Sequence, residues 1–330
     1  MMEVAPARAA DPARNTRQGV RAVARVAEGI RDLVGNTPLM RLRNMGVPDG
    51  VEVYAKLEMF NPGGSVKDRI GVAMLDRAEA EGRLRPGGTV IEPTAGNTGI
   101  GLALAAVGRG YRVIFVMPQK FDGEKSALMR ALGAEIVLTP NEEGMAGAIR
   151  RAHELAAAIP GSFVPNQFEN PANPDAHYRT TGPEIWRDLD GRLDVFVAGV
   201  GSGGTFTGVA RYLKAQDPAI RCVAVEPEGS IIGGGPKGTY KVEGIGNWFV
   251  PAVMDVSLAD RFLRVPDRAA FDTVRELARR EGLLVGSSSG AAVWAALEVA
   301  RESAPGTRIA VVLPDSSERY LSRRIYEQEL

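Results

Sequence analysis

The residue types that could do chemistry in this chain gather around one lysine. Asn61-Pro-Gly-Gly-Ser-Val-Lys67-Asp-Arg69 reads as a turn that delivers Lys67 into the first turn of a helix. Unpaired backbone N–H groups there create a positive end-field. That field, joined to desolvation, lowers the amine's pKa and favours the neutral form that condenses with a carbonyl. Taken alone, the same turn also fits an exposed lysine at a helix start.

Three more segments put Gly, Ser, Thr or Asn between a strand and a helix, where an anion can be held. Glu92-Pro-Thr94-Ala95-Gly96-Asn97-Thr98-Gly99 opens an apolar helix. Its hydroxyls and amides suit a carboxylate, and Asn97 or Thr98 equally suits an N-cap. Gly199-Val-Gly201-Ser202-Gly203-Gly204-Thr205 suits a phosphate cradled on successive N–H groups, without saying which phosphate. Gly286-Ser-Ser288-Ser-Gly290 precedes another helix and by itself reads as a flexible turn.

The elements that must position these residues alternate in type. Short Val- and Ile-rich runs at 51–57, 89–92, 112–117, 135–138, 195–198, 221–225 and 308–313 predict buried strands. Between them, 97–107, 124–132, 145–158, 269–281 and 291–301 predict helices, each ended by Gly or Pro. The alternation predicts an α/β fold with parallel sheets and crossover helices. A polar, Pro-rich passage from Ile159 to Pro174 reads as a crossing between two lobes with a ligand cleft there. The expected organisation is an N-terminal arm over 1–30, one α/β lobe over 31–160 and a second over 161–330.

Composition narrows the partner. Lys and Arg number 40 and Asp and Glu number 40, so no broad field of one sign draws the chain to nucleic acid or an anionic membrane. A small molecule is the expected ligand. Neither a membrane-spanning run nor a secretory core is expected, and the Ala/Arg-rich leader reads as an arm rather than a transit peptide. A lone cysteine, Cys222, in an apolar run is expected in the core and fits a reducing, cytoplasmic setting. His153 and His177 read as structural or surface residues, and no cluster has metal-ligand spacing.

Together and in this order, the four segments resemble the cysteine synthase and cystathionine β-synthase family of pyridoxal-phosphate enzymes. The resemblance runs from Leu33-Val-Gly-Asn-Thr-Pro38 to Pro314-Asp-Ser-Ser-Glu-Arg-Tyr320. It includes Gln167-Phe-Glu-Asn-Pro-Ala-Asn-Pro174, Thr181-Gly-Pro-Glu-Ile185 and Val242-Glu-Gly-Ile-Gly246. It implies two open twisted parallel-sheet lobes with helices on both faces, the type II fold seen in tryptophan synthase β, with residues 31–315 as one catalytic unit.

It also implies a homodimer, with pyridoxal 5'-phosphate bound covalently to Lys67. Gly201, Ser202, Gly203, Gly204 and Thr205 would hold the phosphate, Asn97 the ring hydroxyl, and Ser288 would face the ring nitrogen. A neutral hydroxyl there withdraws electrons less fully than an acid would, which favours elimination across Cα and Cβ. Thr94, Ala95, Gly96, Asn97, Thr98, Gln167 and Gly244 would bind substrate, and Lys67 would serve as anchor, base and acid.

The implied reaction replaces the β-substituent of O-acetylserine or serine through an aminoacrylate, giving cystathionine from homocysteine or cysteine from sulfide. Ala95 departs from the family pattern, where serine is usual, so a hydroxyl near the leaving group is lost. Glu243 and Leu-Pro-Asp315 resemble the cystathionine β-synthase side; Glu318-Arg-Tyr-Leu-Ser resembles the cysteine synthase side. That mixture resembles the bacterial enzymes joining O-acetylserine to homocysteine. A haem segment and regulatory tail domains are not expected. Three rival readings are a dehydratase on the same fold, an inactive homologue acting as a binder, and an NAD-binding oxidoreductase. The last would use Gly199-x-Gly201-x-x-Gly204 with Glu226.

Overall fold

A computed structural model of the chain describes residues 26–328, so most of the expected 1–30 arm lies outside the described residues. The chain opens with β1 (Leu39–Arg41), β2 (Glu52–Leu57), α1 (Lys67–Ala80), β3 (Thr89–Pro93), α2 (Asn97–Ala106) and β4 (Arg112–Pro118). There follow α3 (Glu124–Ala131), β5 (Glu135–Thr139), α4 (Gly144–Ala158), β6 (Ser162–Phe163), α5 (Ala172–Arg179) and α6 (Thr181–Asp188). The last part holds β7 (Val195–Gly199), α7 (Gly204–Gln216), β8 (Arg221–Pro227), β9 (Arg261–Val265), α8 (Asp267–Glu276), α9 (Ser287–Arg301) and β10 (Arg308–Leu313).

Two sheets form, in the orders β1-β2-β10-β7-β8-β9 and β5-β4-β3-β6. Their pairings are parallel except for the edge pair β1–β2. Central strands are the most apolar: β10 (Arg-Ile-Ala-Val-Val-Leu) and β7 (Val-Phe-Val-Ala-Gly) are buried almost throughout. One face of the large sheet packs on α8 and α9 and the other on α7 and α6. The small sheet lies between α1 with α2 on one side and α4 on the other. Helices therefore cover both faces of each sheet, which lets such parallel sheets stay dry.

Two expectations about organisation need correction. The strand read at 51–57 does not belong with the N-terminal sheet, because β2 inserts between β1 and β10 of the large one. The passage from 159 first adds β6 beside β3, pairing Ser162 with Thr89 and Phe163 with Val90, before α5 begins. A linear break between residues 160 and 161 therefore does not follow the sheets; strand pairing across long sequence separations decides membership. The antiparallel β1 is a short edge, a common addition to a parallel sheet.

Candidate active site

The carboxyl ends of β7, β10 and β3 open toward one cleft, the usual place for a ligand in an open α/β sheet. After β2 the chain turns through Pro62-Gly-Gly-Ser-Val66 and enters α1 at Lys67. After β3 it turns through Thr94-Ala95-Gly96 and enters α2 at Asn97. The two helices cross where Gly71 meets Gly101, and a Cβ on either would strike the other helix's backbone. That close approach brings the starts of α1 and α2 together.

One cavity is lined by Lys67, Asn97, Gly201, Ser202, Gly203, Thr205, Gly244, Ser288 and Asp315. Eight of these nine are residues the sequence singled out; Asp315 is the addition. Gly204 begins α7 behind the cavity, where a Cβ would collide with the Asn173 side chain. Thr94 and Thr98 flank the start of α2, Ala95 faces a neighbouring pocket, and Thr98 Oγ1 donates to Gln167 Oε1 at 2.7 Å. Thr98 and Gln167 thus sit together but are buried and paired with each other.

The fit of a phosphate at Gly201–Thr205 rests on backbone geometry. A Cβ at Gly201 would run into the Gly244 carbonyl oxygen, and Gly203 has φ +82 with Met254 against its α-carbon. Only glycine suits both places. The loop ends at the N-terminus of the 13-residue α7, where free N–H groups and the helix dipole favour an anion. His177 supports the loop from behind and is no surface residue. It is fully buried, with Nδ1 2.9 Å from Thr181 Oγ1 and Nε2 3.2 Å from Thr205 Oγ1. Burial, with the charge of Arg69 adding to it, pushes its pKa down to about 3, so the ring is neutral at physiological pH.

In the same cavity, burial of the Lys67 amine pushes its pKa down to about 8, while nearby Asp315 pulls it upward. Desolvation is the leading cause of the reactive amine's depressed basicity. Asn97 is held at both ends of its amide: Nδ2 donates to Asp315 Oδ2 at 2.5 Å, and Oδ1 accepts from Arg319 Nη1 at 2.6 Å. Arg319 also donates to the Gly63 carbonyl in the turn before Lys67. Burial raises the pKa of Asp315, whose Oδ1 has no hydrogen-bond partner.

Glu92, quoted in the second segment but given no role there, is a second buried acid near the site. At the end of β3 it accepts the N–H groups of Asn166 (2.8 Å) and Gln167 (3.3 Å), tying the Gln167 loop to the Thr94 loop. Burial pushes its pKa up to about 7 against those two bonds. An acid between apolar residues in a buried strand was the available signal. Glu226, which the oxidoreductase reading needs free for a ribose, is buried; it accepts from Gly233 N–H at 3.2 Å and from Arg264 Nε at 3.3 Å. Cys222 lies in the core, where burial pushes its thiol up to about 12, and His153 is exposed on α4.

An α/β protein in which a desolvated lysine and a glycine anion cradle line one cavity is built to hold a phosphorylated carbonyl compound. Residues 30–315 match the family described as pyridoxal-phosphate dependent enzyme, and the chain belongs to that family. It is similar to an O-acetylserine dependent cystathionine beta-synthase of Bacillus subtilis, 53% identical over 92% of this chain and 98% of the relative. A cysteine synthase of Staphylococcus aureus is 46% identical over 91% of this chain and 97% of its own length. Among solved structures, an O-acetylserine dependent cystathionine beta-synthase from Helicobacter pylori superposes with a TM-score of 0.86. It is 48% identical, covering 92% of this chain and 99% of the other.

Proposed function

We propose that this chain replaces the β-substituent of O-acetylserine with a sulfur nucleophile, using pyridoxal phosphate held by Lys67, Asn97, the Gly201–Thr205 cradle and Ser288. The observation that carries this reading is that a depressed-pKa lysine and a glycine cradle line one cavity. When bound, the cofactor supplies the electron-withdrawing ring that makes the substrate's α-proton removable. Lys67 anchors it, then takes the proton from substrate Cα and returns it to the same atom. The N–H and hydroxyl groups of Thr94–Thr98, with the Gln167 amide, receive the substrate carboxylate in place of water. For Thr98 and Gln167 this means exchanging their mutual hydrogen bond for bonds to the anion.

The acceptor reading rests on the pocket beside Ala95. Lys120, Lys125, Arg319 and Arg323 line it together with Asp122, Glu124 and Glu243, a mixed charge set that suits the carboxylate and ammonium of a second amino acid better than it suits hydrosulfide. Homocysteine is therefore the favoured acceptor and cystathionine the favoured product. The relatives named for that reaction support this reading, and the relative named cysteine synthase keeps sulfide as the second acceptor to assay. A homodimer in a reducing cytoplasm completes the proposal, consistent with a buried, unreactive Cys222.

The test is K67A beside the wild-type protein, each supplied with pyridoxal phosphate, O-acetylserine and either homocysteine or sulfide, with products identified by mass. Wild type should show a visible absorption band and form cystathionine faster than cysteine; K67A should lose both band and turnover. A K67A protein that keeps them would refute the assignment.

A further inference from the structure

We propose that Asp315 and Tyr320 are positioning residues that fix the Asn97 amide and link it to the Lys125–Glu243 pair beside Ala95. The inference rests on the cofactor and acceptor reading just given, and it adds a connection between the two subsites. Its basis is a continuous run of contacts. Asn97 Nδ2 gives one proton to Asp315 Oδ2 at 2.5 Å, leaving the other for a ligand in the cavity. The Tyr320 hydroxyl donates to the same Asp315 oxygen at 2.5 Å. Lys125 Nζ sits 4.0 Å from the centre of the Tyr320 ring and 3.1 Å from Glu243.

A ligand carboxylate drawn to Lys125 competes with Glu243 and with the Tyr320 ring for that ammonium. Any shift of the ring moves the hydroxyl that shares Asp315 with Asn97. Asp315 is well placed to pass this on because it is 1% exposed, lines the cavity, and keeps its other oxygen unpartnered. Few partners compete for the carboxylate, so its geometry follows those two donors. The segment also braces the lysine turn, since Val66 N–H donates to the Pro314 carbonyl at 2.9 Å.

Tyr320→Phe separates this role from simple packing, because the ring under Lys125 stays and only the hydroxyl is lost. The full chain loaded with pyridoxal phosphate would be titrated with L-homoserine, a thiol-free stand-in for homocysteine, while the visible band is followed. In wild type the band should shift on addition. In Y320F the starting band should already be displaced, the response to homoserine lost, and kcat lowered about tenfold, the scale of one buried charge-assisted hydrogen bond. The melting temperature serves as the packing control. Should Y320F fail to fold, D315N keeps a carbonyl oxygen to accept from Asn97 and Tyr320 and D315A removes that acceptor; the first should retain the wild-type band and the second should not. A wild-type band indifferent to homoserine, or a Y320F or D315A protein matching wild type in band and response, overturns the link alone. A wild-type protein with neither band nor turnover overturns the function reading and the link with it.

Discussion

Lys67 has to satisfy two opposed requirements, since an ammonium cannot attack a carbonyl and a bare amine deep in a protein has few ways to be held. Burial settles the first by pushing its pKa down to about 8. Below that pH the reactive fraction falls about tenfold for each unit of pH. Capture of pyridoxal phosphate by the cofactor-free protein, followed as growth of the visible band, should accelerate with rising pH and level off above about 8. A rate that stays level from about pH 6 to 9 would show that amine deprotonation does not limit capture. Residues such as Lys67, Asn97 and Ser288 stand out in the sequence because each sits in a short Gly-, Ser- or Asn-bearing motif at the start of a helix. Asp315 and Arg319 stood in a motif the sequence reading quoted, yet their bonds to Asn97 join residues more than 200 positions apart, and nothing local announces that. His177 reads from sequence as structural or surface, because a lone histidine carries no burial signal of its own, and its burial makes it the first.

Among elements, the loop from β7 to α7 has the least freedom to vary. Adding one methyl group at Gly201 would push it into the Gly244 carbonyl, and since both are backbone, neither can rotate away. G201A should therefore weaken pyridoxal phosphate binding at least tenfold in an equilibrium titration. Global stability should fall by only about 1–3 kcal/mol, as for other overpacked sites. An unchanged dissociation constant would mean that the cradle tolerates the separation. The long strands and helices were readable from apolar runs and their Gly or Pro ends, and the boundaries of β4, β5 and β10 fall within a residue of expectation. The three-residue β1 and two-residue β6 were not, because runs so short hold too few alternations to show a period. β9, with arginine at both 261 and 264, hides two of its three apolar positions between charges. The large sheet's mixed membership could not be read from order along the chain, since β2 reaches it across some 250 residues of sequence.

At the scale of the whole molecule, a buried ionic knot joins parts of the chain that the linear sequence keeps apart. Arg69 on α1 bonds Glu58, just after β2, at 2.7 Å and Glu184 on α6 at 2.7 Å, while Lys56 on β2 reaches Glu184 at 2.8 Å. The backbone N–H of Asn36 donates to Glu184 at 2.9 Å, so the segment ahead of β1 is fastened there too. Such a knot adds little over an apolar replacement, but deleting one member strands the others without a counter-charge. E184Q leaves Arg69 paired with Glu58 alone and buried Lys56 with only the more distant Asp188 carboxylate at 3.6 Å, and should cost about 3–5 kcal/mol near neutral pH, read from chemical denaturation. The pH dependence separates charge from shape. Although burial opposes it, pairing with Arg69 and Lys56 pulls the Glu184 pKa from 4.5 down to about 2. A depressed folded-state pKa gives stability that is fully present above the unfolded value and lost as pH falls toward the folded one. The gap between wild type and E184Q should thus hold steady from neutral pH to about 4.5 and narrow below it. A gap that stays constant down to the acid unfolding of wild type would mean that the glutamate contributes through packing alone, and that the three elements meet there without needing its charge.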